Sequence, residues 1–166
     1  MLPEIYMTIA EVKLEDATTQ LDLARKNIDD EKVVRSCVNA FFAHARSVDE
    51  VLDKDSQLNP VLKVWSEERL REFRNLPIAR FIRRSRNHSI HKGTLPLENV
   101  LALRNLNVVT PEGHRILGKP TTTLWLLDGA EAEGFQPYVV PLCLEYLQLA
   151  SQLVADWKAE RARLGI

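Results

Sequence analysis

The chain has 166 residues and 19.0 kDa, with 22 Lys+Arg against 23 Asp+Glu and a formal net charge of -1. That length suits one domain rather than two, and 45% hydrophobic with 27% charged residues excludes an overall disordered or collagen-like chain. Taken as a sum, the charge offers a polyanion no attraction, because phosphate binding is driven by positive charge.

In chain order, the segment 5–14 carries two patterns. Ile5, Ile9 and Val12 fit a helix that would run on, whereas Ile5, Met7 and Ile9 followed by Ala10, Val12 and Leu14 alternate as in a strand. Helix is the favoured reading. A helix is predicted over 18–27, with Leu21, Ala24 and Ile28 on one face. The clearest helix spans about 30–53, with Val34, Cys37, Val38, Phe41, Phe42, Ala45, Val48 and Leu52 at alternating three- and four-residue spacing. Asp29 or Asp30 can cap its start.

After the turn signal Asn59-Pro60, helical spacing resumes through Val61, Leu62, Val64, Trp65, Leu70 and Phe73. Pro77 interrupts it, since proline lacks an amide proton, and suits the first turn of a new helix over about 76–91. Ile78, Phe81, Ile82 and Ile90 supply the apolar side of that helix, and Gly93 stands where a terminating glycine would.

From about 94 to 134 the chain is punctuated by Pro and Gly around short runs at 107–109 and 121–127, with turn chemistry in Thr110-Pro111-Glu112-Gly113. Two or three short antiparallel strands are predicted there, a β-hairpin or meander inserted among helices. A last helix over about 138–163 carries Val139, Leu142, Cys143, Tyr146, Ala150, Leu153 and Trp157. The whole chain, 1–166, reads as a single, mainly α domain.

No apolar run approaches the roughly 20 residues of a membrane-spanning helix, and Met1-Leu2-Pro3-Glu4-Ile5-Tyr6 lacks a secretory pattern. Cys37 and Cys143 sit in helical apolar patterns with no second Cys or His at ligand spacing, so they read as buried thiols. The expectation is a cytoplasmic, reduced protein without membrane, metal or cofactor.

Resolved along the chain, the charge is far from even. Residues 69–92 hold Arg69, Arg71, Arg74, Arg80, Arg83, Arg84, Arg86 and Lys92 against the single acid Glu72, a net of +7; since the whole chain carries -1, the rest carries -8. Arg80, Arg83, Arg84 and Arg86 have no acidic partner on their own helix. Two readings stand open: these side chains pair with the acidic remainder of the fold, or they bind an anion such as nucleic acid.

Within this segment lies Arg86-Asn87-His88-Ser89-Ile90-His91. An imidazole titrates near neutrality and can move a proton, while a guanidinium stays charged and can hold developing charge on a phosphate. Asn87, four residues before His91, shares its helical face and can orient the ring; His88 lies elsewhere around the helix. A solvent-facing histidine at a helix end, favoured there by the dipole, is the plain alternative.

Arg86-Asn87-x-x-x-His91 resembles the signature of the HEPN superfamily, and the run Ser36-Cys37-Val38-Asn39-Ala40-Phe41-Phe42-Ala43-His44-Ala45-Arg46-Ser47-Val48 resembles the second-helix pattern of a bacterial branch of it. Trp65 between the motifs and Gly93 after the histidine are similar to that branch as well. The resemblance covers roughly 18–93.

It implies a HEPN-like antiparallel bundle of four or five helices that forms a homodimer with two Arg/His pairs in one cleft. It also implies a metal-independent endoribonuclease of toxin–antitoxin or phage-defence type, whose partners are RNA and an antitoxin or other regulatory protein. By position, Arg86 and His91 are the catalytic candidates, Asn87, Asn39 and Arg46 the supporting ones, and Arg80, Arg83, Arg84 and Lys92 the RNA-binding ones. Members that have lost catalysis imply the alternative, a module binding RNA, nucleotide or protein. One feature departs from the pattern: toxins silenced by nucleotide transfer carry a tyrosine two places after the histidine, where this chain has Gly93.

Elsewhere, His44 reads as a satisfied, half-buried histidine and His114 as a surface one. Trp65, Trp125 and Trp157 read as core or dimer-interface anchors, and Glu67 and Glu68 as surface acids. The chain contains no phosphate-cradling glycine loop.

Overall fold

A computed structural model describes residues 7–92, 95, 97–103, 108–109, 115–116, 120–130, 134–135 and 138–166. Ile5, Gly93, the turn at 110–113 and His114 lie outside the described residues. The described part is mainly helical with a small antiparallel β component.

Local rules set the helix starts. Thr8 opens α1 (Ile9–Lys26) with a capping box: its hydroxyl accepts from the Glu11 amide at 3.2 Å while its own amide donates to the Glu11 carboxylate at 2.7 Å. One continuous helix therefore covers 9–14 of the ambiguous 5–14 and the predicted 18–27 up to Lys26, with Asn27 as its C-cap. Asp30 caps α2 (Glu31–Ser56) by accepting from the Val33 amide at 3.1 Å. Asn59 accepts from the amides of Val61 and Leu62 to start α3 (Pro60–Asn75), with Pro60 in its first turn. Pro77 likewise begins α4 (Pro77–Lys92) after an extended Leu76. The last helix, α5 (Val139–Leu164), ends at Gly165, whose φ of 71° is the left-handed conformation glycine adopts without a side-chain clash.

α2 is the centre of the bundle, packed by α1, α3, α4 and α5. Every apolar residue of its predicted stripe is buried. α1 meets it through small residues, Ala10, Ala17 and Ala24, which allow close approach. α5 hangs on α2 by two polar tethers inside the core: Tyr146 Oη donates to the Ala45 carbonyl at 3.1 Å, and Trp157 Nε1 donates to Ser56 Oγ at 2.8 Å. Cys37 and Cys143 are buried thiols, both pushed above their ordinary range by burial.

Between α4 and α5 the chain forms strands β1 (Leu97–Leu103), β2 (Val108–Val109), β3 (Arg115–Ile116) and β4 (Pro120–Leu127). β1 pairs antiparallel with β4, Leu97 opposite Leu127 and Asn99 opposite Trp125, and the short β2/β3 pair is nested between them in the chain. This exceeds the two or three strands expected. β1 escapes a pattern reading because Val100-Leu101-Ala102-Leu103 is an unbroken apolar run without strand-specific alternation. The base of the ribbon is clamped to the α1–α2 corner: Arg35 donates to the carbonyls of Leu95 (3.2 Å) and Leu97 (2.7 Å), Trp125 Nε1 donates to the Ile28 carbonyl at 2.7 Å, and Thr123 donates to Asp29. Among the described residues, no helix is long and apolar enough to cross a membrane.

Three helices meet at one buried charge. Asp49 of α2 is 3% exposed and accepts from Arg74 Nε at 2.5 Å and Arg83 Nη2 at 3.4 Å; Arg74 also donates to Asp53 at 3.0 Å. Burial works against the charge of Arg74, but Asp49 and Asp53 more than offset it, so its affinity for the proton is raised. Asp49→Asn keeps the shape and removes the charge. Because both arginines retain some solvent, it is expected to cost about 2 kcal/mol and to lower Tm by about 5 °C in thermal unfolding.

Glu11 also reaches Lys158 of α5, at 2.5 Å, and that contact together with the capping amide of Thr8 holds its carboxyl below the ordinary 4.5. A carboxyl depressed in the folded state adds stability above its unfolded value and loses it as pH falls through the lower, folded value. Glu11→Gln preserves the capping box and removes the charge. Its stability deficit, expected within about 1 kcal/mol at neutral pH, should begin to shrink in denaturant titrations taken below pH 4.5 and vanish only once the pH lies below the depressed folded-state value.

Candidate functional site

α4 carries the sequence-selected residues, and its buried side, Ile78, Phe81, Ile82 and Ser85, faces the core. Along the other side the antiparallel approach to α2 makes two polar crossings about one turn apart. Arg83 reaches Asp49, and Arg46 Nη1 donates to Asn87 Oδ1 at 2.9 Å. Arg46 is held in turn by Glu50, one turn along α2, at 3.1 Å. The two stretches that carry the family resemblance, 36–48 and 86–91, are thus in direct contact.

The charged residues of 69–92 separate into two sets. Arg69 pairs with Glu72 at 3.0 Å, and Arg74 and Arg83 pair with Asp49. Arg83, an RNA-binding candidate, is therefore partly engaged inside the fold. Arg71, Arg80 and Arg86 form no ion pair among the described residues; Arg71 and Arg80 are exposed and Arg86 is half-buried. Arg84 is exposed and has a partner within the fold, as does the exposed Asn39, two turns before Arg46 on α2. Internal pairing thus accounts for Arg69, Arg74 and Arg83, while Arg71 and Arg80 face solvent.

His91 and Lys92 form the last turn of α4; their side chains lie outside the described residues. The backbone alone places positions 86 and 91, five residues apart on a regular helix, about 140° apart around the axis and about 7.5 Å along it. Within one chain they do not share a face. Asn87, by contrast, is four residues from position 91 and on its side.

Asp49, Asp53 and Glu50 are the polar residues that sequence reasoning passed over. Asp49 had a signal: it lies on the core face of α2, four residues from Ala45, where a carboxylate implies a buried partner. The space beside it, lined by Arg46, Phe73, Ala79, Ile82, Arg83 and Tyr146, is a cavity of only about 10 Å³, too small for any substrate. Burial first, and then the Asp49 carboxylate, hold the Tyr146 hydroxyl well above its ordinary range, so it stays a protonated donor to Ala45. This polar knot is architectural.

Two larger concavities, of 570 Å³ at the α1–α2 corner and 360 Å³ where Leu58, Trp157, Arg161 and Ile166 meet, include neither Arg86 nor Asn87. His44 is half-buried with Nδ1 at 3.4 Å from Asp16, the satisfied role expected of it. Trp125 and Trp157 are buried and Trp65 packs against the core. Among the described residues, no three His, Cys, Asp or Glu side chains are grouped to hold a metal ion.

With this geometry in hand, comparison with protein-family models, curated proteins and solved structures finds no match.

Arg46 and Asn87 should be energetically coupled if their contact orders the α2–α4 seam. A double-mutant cycle of Arg46→Ala and Asn87→Ala in denaturant unfolding is expected to give roughly 0.5 kcal/mol of favourable coupling, where independent surface residues would give none.

Proposed function

We propose that the protein is a metal-independent endoribonuclease of the HEPN type, working as a homodimer in a toxin–antitoxin or phage-defence setting with an antitoxin or other regulatory protein as partner. The observation that carries this reading is the Arg46–Asn87 hydrogen bond, which brings the two resembling stretches of sequence together across α2 and α4. The basic, solvent-facing residues Arg80 and Arg84 on the same helix support an RNA partner.

In this reading His91 removes the proton of a ribose 2'-hydroxyl, and the freed oxygen attacks the adjacent phosphorus. The P–O2' bond forms as the P–O5' bond breaks, and the proton carried by His91 passes to the departing 5'-oxygen. Arg86 holds negative charge on the phosphate, which favours the transition state over the substrate. The products are a 2',3'-cyclic phosphate and a 5'-hydroxyl. The wide angular separation of positions 86 and 91 favours a site built from two copies, where Arg86 of each chain can serve a phosphate facing the other's His91.

The same separation, with Arg86 half-buried, favours a second reading: a non-catalytic HEPN module that binds RNA, nucleotide or a protein. Incubation of the purified chain with labelled single-stranded RNA separates the two. Cleavage that persists in a chelator, yields cyclic-phosphate ends and falls at least 100-fold in both Arg86→Ala and His91→Ala is the expected result. Intact RNA in the presence of pure dimer sinks the ribonuclease reading, and salt-dependent binding indifferent to His91→Ala supports the module.

A further inference from the structure

A regular helix turns by about 100° per residue, so positions 80, 84, 87 and 91 of α4 fall within an arc of about 60°, opposite the buried side chains. Arg80, Arg84 and Asn87 are exposed on that arc. Position 86 lies about 100° or more away from each of them. Of the two arginines on the face of position 91, the nearer is therefore Arg84, two turns back, and between the two sits Asn87.

Asn87 has a fixed orientation. A guanidinium only donates, so the bond from Arg46 requires the carboxamide oxygen of Asn87 to face α2, and its NH2 is left to donate outward. Glu50 secures Arg46 from the other side. A group with two hydrogen-bond donors thus lies next to an arginine on an exposed strip of a helix that carries no acidic residue of its own. That is the chemistry of a phosphate contact rather than of a base contact. Arg80 and Arg84 stand about 6 Å apart along the axis, comparable to the step between successive phosphates of an extended strand. Arg84 already has a partner in the fold; its five N–H donors allow a second.

We propose that Arg84, beside the outward NH2 of Asn87, holds a non-bridging oxygen of the scissile phosphate, and that Arg80 holds a neighbouring phosphate of the same strand. The unit within one chain is then the strip 80, 84, 87 and 91, with Arg46 as a positioning residue behind Asn87. This rests on the ribonuclease reading above and adds to Arg86 a second arginine at the reacting phosphate.

The test uses the full chain with two oligonucleotides, a cleavable single-stranded RNA and its 2'-O-methyl analogue, which binds but has no attacking hydroxyl. Arg84→Ala is expected to lower kcat about 100-fold or more with a smaller change in KM, and Arg84→Lys to recover part of it. Arg80→Ala should raise KM several-fold and spare kcat. On the analogue, each alanine variant should reduce the slope of log K against log salt by about 0.7, while Arg25→Ala, a surface change on α1, leaves slope and rate unchanged.

The proposal is overturned if Arg84→Ala behaves as Arg25→Ala does. It is equally overturned if Arg84→Ala loses activity together with cooperative thermal unfolding and Arg84→Lys restores neither. Should the wild type bind the analogue without cleaving RNA, a slope lowered only in the Arg80 and Arg84 variants upholds the phosphate contact while the catalytic reading fails. Absence of binding removes both.

Discussion

The carboxylate of Asp49, enclosed between Arg74 and Arg83, is the constraint on which the arrangement of helices depends. A charge removed from water must be met by opposite charge and hydrogen bonds, because leaving it alone costs several kcal/mol. Asp49 lies on α2, Arg74 on α3 and Arg83 on α4, so satisfying one buried acid locates three helices at a single point. It also limits rotation of α4 about its axis. With Arg83 turned towards α2, Asn87 one turn on meets Arg46, and the remaining arc, carrying Arg80 and Arg84, faces solvent.

The charge imbalance of 69–92 takes on a different meaning in this frame. The segment is neither wholly an internal ion-pair face nor wholly a free polyanion surface. Arg69, Arg74 and Arg83 are neutralised at home, and the cations that remain outward belong mostly to one helix. Internal pairing contributes little net stability compared with an apolar interface. Its effect here is to sort identical side chains into two environments. Glu50 extends the same logic to the surface, since it holds Arg46 in the rotamer that orients Asn87.

The β ribbon is joined to the same framework at its far corner. Arg35, one turn into α2, binds the carbonyls at Leu95 and Leu97 and lies 5.8 Å over the Trp125 ring, while the indole N–H of Trp125 satisfies the carbonyl of Ile28 in the α1–α2 turn. These groups are at helix ends and strand ends, where backbone carbonyls lack partners of their own. The ribbon is therefore held at the α1–α2 corner of the bundle.

The sequence by itself determined α2 to α5 and where they begin, while the start of α1 stayed open between helix and strand. The stripe of α2, the cap at Asp30, the turn signal Asn59-Pro60 and the proline at 77 act over three or four residues, and local spacing reports them faithfully. It also singled out Arg86, Asn87, His91 and Arg46. What it did not contain was β1, whose apolar run becomes a strand only by pairing with β4, or the division of the arginines between Asp49 and solvent. Spacing on the predicted helix does put Arg84, and not Arg86, on the side of position 91, but it does not say which arginines meet an acid. Partners 25 and 34 residues away in sequence settle which arginine turns inward. Such pairings are decided by how helices dock, because a charge seeks the nearest counter-charge in space and the chain records only the nearest in sequence.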